Sequence, residues 1–185
     1  AEDSETVAIG NGAVTYGGYR MVGIGHNTLS GDYNYRTTAA STAHTGSVAI
    51  GYNAGSRTTG SYNTFVGYEA GRGTSAASGQ KNVAIGHDAM KVFTSAGNSV
   101  CIGDSAGDTI TTGGQNVFVG RDAGDDIVGG GANICIGYQA RAGNASRTNG
   151  IVIGYNISAT ADNDFSFGKA SNVVTNDFDA DADWS

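Results

Sequence analysis

Ten times this chain writes the same short word: an apolar or β-branched residue, a variable residue, then Ile, Val or Phe, then Gly. The first five are Val7-Ala8-Ile9-Gly10, Val22-Gly23-Ile24-Gly25, Val48-Ala49-Ile50-Gly51, Thr64-Phe65-Val66-Gly67 and Val83-Ala84-Ile85-Gly86. The second five are Val100-Cys101-Ile102-Gly103, Val117-Phe118-Val119-Gly120, Ile134-Cys135-Ile136-Gly137, Ile151-Val152-Ile153-Gly154 and Phe165-Ser166-Phe167-Gly168. The closing glycines are 15, 26, 16, 19, 17, 17, 17, 17 and 14 residues apart, so the word is a structural period. Three residues at period two, rich in Val, Ile and Phe, predict a short strand, and the Gly predicts a bend that a Cβ would forbid. An Ala usually follows three residues later (Ala13, Ala54, Ala70, Ala89, Ala106, Ala123, Ala140), small enough for a tight corner. A unit this small cannot bury its apolar face alone. Successive units must stack, which predicts an all-β, parallel β-solenoid of about ten rungs, a rod on the order of 45 Å long at the strand spacing of a sheet.

Polar positions obey the same period. Asn63, Asn82, Asn116 and Asn133 stand four residues before the closing Gly, and Asn98, Asn149 and Asn163 five before it. Such a column can bond amide to amide, or amide to turn backbone, from one rung to the next.

Alternation sends the first and third residues of each strand to one face and the middle residue to the other. The middle residues include Phe65, Ala84, Cys101, Phe118, Cys135 and Val152, and none of the ten is charged. Both faces are therefore apolar. One fills the solenoid, and the other needs a cover that the chain offers no helix to supply. A homotrimer is the expected source of it, with these six residues lying in the core or at the trimer interface. Cys101 and Cys135 fall two rungs apart, roughly 9.6 Å along the axis, too far for an intrachain disulfide, and read as small buried hydrophobes.

Composition narrows the class. With 31 Gly and no Pro, but 39% hydrophobic residues at fixed places, the chain reads as packed rather than disordered. A net charge of −7 argues against nucleic acid as a partner. No stretch of eighteen apolar residues is present, so membrane insertion is not expected. The opening Ala1-Glu2-Asp3-Ser4-Glu5 lacks the character of a signal peptide and reads as a lead-in from a longer protein. The expected organisation is a lead-in over 1–5, the repeat domain over 6–170 and an acidic tail over 171–185.

The unit Asn98-Ser99-Val100-Cys101-Ile102-Gly103-Asp104-Ser105-Ala106 resembles the head repeats of trimeric autotransporter adhesins. Those repeats build a left-handed parallel β-roll in which three chains pack together. Longer units such as Asn116-Val117-Phe118-Val119-Gly120-Arg121-Asp122-Ala123-Gly124 look still more like repeats of phage tail fibres, and the likeness covers about residues 6–170. The segment from Lys169 to Ser185 resembles the region just before the self-cleaving intramolecular chaperone of many tail fibres and tailspikes. What the resemblance implies is a left-handed, trimeric β-roll in a virion tail fibre that attaches to a glycan or envelope protein of the host cell. The alternatives are the head of a bacterial surface adhesin and a polysaccharide-degrading tailspike.

Candidate chemistry is sparse. No nucleophile–base pair or paired carboxylates stand outside the repeat register, so no enzyme and no cofactor are expected. Asp177, Asp179, Asp181 and Asp183 alternate along an extended tail, where three chains could gather carboxylates around Ca²⁺; a solvated acidic tail is the plainer expectation. Two surfaces are candidates for receptor contact. One is the position after the strand Gly, carrying Tyr52, Tyr68, Tyr138 and Tyr155 beside His26 and His87, since rings with polar tips suit sugars. The other is the long interval between Gly25 and Gly51, with Tyr33, Tyr35, Arg36 and His44.

Overall fold

Each three-residue strand predicted above is present, and each pairs in parallel with the strand one repeat away. The computed structural model describes residues 5–14, 19–30 and 44–177. Ten strands stack in chain order: β1 (Val7–Ile9), β2 (Val22–Ile24), β3 (Val48–Ile50), β4 (Thr64–Val66), β5 (Val83–Ile85), β6 (Val100–Ile102), β7 (Val117–Val119), β8 (Ile134–Ile136), β9 (Ile151–Tyr155) and β10 (Asp164–Lys169). An eleventh, β11 (Asn172–Asp177), turns back antiparallel onto β10. The fold is thus an all-β, mostly parallel β-solenoid with one continuous sheet. Among the described residues no helix is long and apolar enough to cross a membrane.

The register is the one the word dictates. Val100, Cys101 and Ile102 pair with Val117, Phe118 and Val119, which pair in turn with Ile134, Cys135 and Ile136. The ten closing glycines share one backbone conformation, with φ between +125° and +153°, open to Gly and closed to residues with a Cβ.

The middle residues point inward. Phe65, Ala84, Cys101, Phe118, Cys135 and Val152 are each 0% exposed in the single chain. Of the two places left open for them, the interior is the one they occupy, and no second copy is needed to cover them. They meet the Ala corner and the apolar residues of the return segment, Phe93, Ile110 and Ile127, in one continuous core. The two cysteines are free and buried there, and burial pushes both thiols up, Cys101 to about 12.

The Asn column is the second internal support. Asn63 Oδ1 accepts from Asn82 N (2.9 Å), Asn82 Oδ1 from Ser99 N (3.0 Å), Asn116 Oδ1 from Asn133 N (2.9 Å) and Asn133 Oδ1 from Gly150 N (2.9 Å). Each of these four amides also donates across the core to a corner carbonyl: Asn63 to Gly79, Asn82 to Ala96, Asn116 to Gly130 and Asn133 to Arg147. Buried backbone donors at the strand entry are thereby satisfied in rung after rung. Asn98, Asn149 and Asn163 do not join this column; they lie exposed in the left-handed conformation.

The C-terminal end departs from a simple tail. The segment from Asn172 onward is part of the sheet, and the inward position turns polar there: Ser166 Oγ donates to Thr175 Oγ1 at 3.2 Å. Asp164, buried at the Asn position of this last rung, accepts from Thr160 N, Thr160 Oγ1 and Ala161 N. A reversed strand and a polar inner face together stop the stacking. At the other end all three residues of β1 are exposed.

Candidate functional site

With the middle residues inside, the first and third residues of every strand face out. Apart from Thr64 they are aliphatic or aromatic: Ile102 is 37% exposed, Ile136 38%, Ile153 41% and Phe167 41%. The outer face of the solenoid is therefore an apolar strip running the length of the sheet. In β9 the strand continues to Tyr155, which lies two residues beyond Ile153 on the same outer face. The position after the closing Gly is thus the flank of that strip.

On this flank the sequence candidates do come together. His26 stacks on Tyr52 at 5.2 Å between ring centroids, Tyr52 on Tyr68 at 5.1 Å and Tyr68 on His87 at 5.2 Å, with planes within 11–14° of parallel. His87 Nδ1 then meets Asp104 Oδ1 at 3.1 Å, and Arg121 Nε lies 3.6 Å from Asp104 Oδ2. The Arg121 guanidinium sits 5.6 Å from the centre of the Tyr138 ring, and Tyr138 stacks on Tyr155 at 5.2 Å. A single column of rings and charges results, one residue per rung. Its regular step is that of the strands beneath it.

This geometry alters what the tyrosines offer. Sugar recognition by aromatic residues uses the ring face, and here the faces are turned to the rings above and below. Edges and phenol hydroxyls are what the column presents to solvent. A central ring such as Tyr68 makes two stacked contacts, each worth about 0.5–1.5 kcal/mol. Tyr68→Ala is accordingly expected to lower stability by about 1–2 kcal/mol, read as a shift of the urea midpoint without loss of the β-sheet circular dichroism signal.

His44 is not a surface residue. It is 1% exposed, and its Nδ1 lies 3.2 Å from Thr58 Oγ1, which itself donates to the Gly55 carbonyl at 2.8 Å. The expectation of receptor contact at His44 is corrected by this burial. Tyr33, Tyr35 and Arg36 lie outside the described residues. Burial lowers the His44 pKa to about 4. The unfolded chain therefore binds a proton that the folded chain refuses, and stability falls as pH drops from about 6.5 toward 4. A loss of about 2 kcal/mol by pH 5 is expected from this group, and it should vanish in His44→Asn when denaturant midpoints are compared across pH.

Charged side chains elsewhere are paired along the stack. Glu69 Oε2 accepts from Arg72 and Lys91 at 3.0 Å each, and Lys91 also reaches Asp88 at 2.9 Å. Arg141 clasps Asp125 through two bonds of 2.6 and 2.9 Å. Burial and the neighbouring carboxylates of Asp125, Asp122 and Asp88 raise the Asp108 carboxyl above its ordinary range. Among the described residues, no group of three or more His, Cys, Asp or Glu side chains is arranged to hold a metal ion. Asp177 ends β11 in register with Asp164, while Asp179, Asp181 and Asp183 lie outside the described residues.

Comparison with protein families, with curated proteins and with solved structures finds no match to this chain. The solenoid presents two surface features, the apolar strip and the ring column.

The sequence placed the Tyr, His, Asp, Arg and Lys residues of that column at one register position. What it did not show was that they touch. The available signal was the constancy of the offset from the closing Gly, because residues at one offset in stacked rungs must lie about 4.8 Å apart.

Proposed function

We propose that this chain is a rigid segment of a trimeric phage-type tail fibre, holding a receptor-binding surface at the host envelope. The observation that carries the reading is the outer strip: ten successive rungs of outward Val, Ile, Thr and Phe on a chain whose own core is already full. A monomer rarely leaves a contiguous apolar surface of this length open to water. Copies of the same chain cover it most simply, since each brings an identical strip of identical length.

Packed sheets lie about 10 Å apart, so a sheet lies about 5 Å from an axis that it shares with others. A triangle with that inner radius has sides of about 17 Å, longer than the three-residue strands at about 10 Å, so the flanks of the strip complete each side. Three strips thus close a prism whose interior six Val or Ile side chains per rung can fill. Stiffness follows from the stacking. Attachment strength follows from three copies acting together, so weak single contacts add up. Receptor contact is assigned to the long interval between Gly25 and Gly51, with Tyr33, Tyr35 and Arg36 as the residues to test.

The first experiment is light scattering on a size-exclusion column. Three times the 18.6 kDa chain mass is expected. Ile102→Asp with Ile136→Asp, which sets carboxylates in the strip, should return the mass to that of one chain. A wild-type monomer would sink the fibre reading. Binding of the trimer to bacterial envelope fractions, lost on combined Ala substitution of Tyr33, Tyr35 and Arg36 at unchanged mass, is the expected result for attachment.

A further inference from the structure

The outer face has two flanks. One is the ring-and-charge column after the closing Gly. The other is the residue two before each strand, a column of exposed residues that includes Arg20, Tyr62, Lys81, Asn98, Gln115 and Ala132. It takes the left-handed conformation in each of these rungs, with φ between +56° and +63°. The buried Asn column lies between this flank and the strand, so both flanks border the same apolar strip.

Their chemistry matches rung by rung. Asp104 shares its rung with Asn98, Arg121 with Gln115, and Lys169 with Asn163. Each charged residue of the ring flank thus has, at its own height, an amide that can both donate and accept. The uncharged rungs pair without conflict too: Tyr138 with Ala132, Tyr68 with Tyr62. Arg20 and Lys81, the cations of the opposite flank, share their rungs with His26 and His87. In no described rung do two carboxylates, or two Lys or Arg cations, occupy both flanks.

We propose that the two flanks are the two halves of one seam between copies: the ring column of one chain lies along the Asn98–Gln115–Ala132 column of the next, same rung against same rung. The proposal rests on the trimeric reading above and gives it its contacts. Rotation about an axis parallel to the rod keeps every rung at its own height, so a ring of three sets unlike flanks together at each corner of the prism. The apolar strip fills the prism, and the corners carry the specificity. The arrangement explains why the tyrosine faces are spent on one another: the column is a smooth, edge-on rail for a neighbouring chain. A slip by one rung in one sense would leave Arg121 facing Ala132 instead of Gln115, whereas a slip in the other sense would set Lys81 opposite Asp104 and Arg121 opposite Asn98.

Within one chain the two flanks are six residues apart, about 20 Å along an extended strand, beyond the reach of a disulfide. Cysteine pairs therefore report the seam. Ala132→Cys combined with Tyr138→Cys is expected to oxidise to covalent species of up to three chains, in most of the protein. Gln115→Cys with Arg121→Cys should do the same and guards against a folding defect in the first pair. Ala132→Cys with Asp104→Cys, two rungs out of step, should remain single chains on a denaturing gel. The native thiols of Cys101 and Cys135 are sealed in the core and do not compete. A trimeric mass with no same-rung cross-link would overturn the seam while leaving the trimer standing. So would a disulfide-linked dimer of Tyr138→Cys alone, which requires like flanks to meet. A monomeric mass for the unsubstituted protein overturns the trimer and the seam together.

Discussion

Gly103→Ala is expected to break the rod in the middle, costing more than about 3 kcal/mol. Gly103 follows β6 at φ +137°, and a Cβ placed there would stand 2.5 Å from the carbonyl oxygen of Gly120 and 2.6 Å from its carbonyl carbon. Both atoms are backbone, so no side chain can swing aside. The rungs must part, and that weakens the bond from Gly120 N to the Ile102 carbonyl (2.8 Å), which joins these same two rungs. In a solenoid each rung is stabilised only through its neighbours. Circular dichroism should accordingly show either loss of the sheet signal or two separate melting steps in place of one. Gly129→Ala is the matched control. A Cβ there meets only Thr112 Oγ1 at 3.4 Å, an ordinary contact, and the change should stay within about 0.5 kcal/mol. Equal midpoints for the two variants would refute a stacked glycine column.

That column was legible in the sequence because a fixed backbone conformation leaves a fixed residue. The strands, their parallel order and the Asn supports were legible for the same reason. The identity of the inner face was harder. Both faces of a three-residue strand are apolar here, and alternation alone does not say which is in. Size does say so, once the corner is read with the strand. Gly55 and Gly71 lie against the Phe65 ring, and Gly107 and Gly124 against the Phe118 ring. Where the middle residue is Gly23 or Ala84, the matching corner holds Leu29 or Met90, both fully buried. Large and small alternate between the two positions as they must in an interior of fixed volume. The outer positions show no such exchange; they are uniformly β-branched or aromatic. Residue type alone did not reveal two other features. His44 sits in a polar stretch, yet its burial is set by tertiary packing. The return of β11 has no turn signature in Lys169-Ala170-Ser171, and Ala170 adopts φ +44° without being Gly or Asn.

Asn116→Asp is expected to be among the most damaging changes of a single atom, costing about 3 kcal/mol at neutral pH. Asn116 is 0% exposed. Its Oδ1 accepts from Asn133 N at 2.9 Å and from Asn133 Nδ2 at 3.1 Å, while its Nδ2 donates to the Gly130 carbonyl at 3.0 Å. A carboxylate keeps the first two bonds but aims a lone pair at the Gly130 oxygen, and it buries a charge besides. Protonation restores a donor at that oxygen, so the folded state raises the pKa of the new carboxyl above its unfolded value of about 3.9. The folded variant then holds a proton that the unfolded chain has released. Its deficit relative to wild type should grow as pH rises above about 4, level off above the folded pKa, and shrink toward zero in acid. The native protein changes in the opposite sense over part of this range, through His44, so the difference between variant and wild type at each pH is the quantity to read. Asn116→Ala, which removes donor and acceptor together, should cost about 2–4 kcal/mol with no pH dependence of its own. A variant Asn116→Asp as stable as wild type at pH 7 would mean that water reaches the column. The interior would then be held by its aliphatic residues alone, and not by an amide ladder that satisfies the backbone at four of the strand entries.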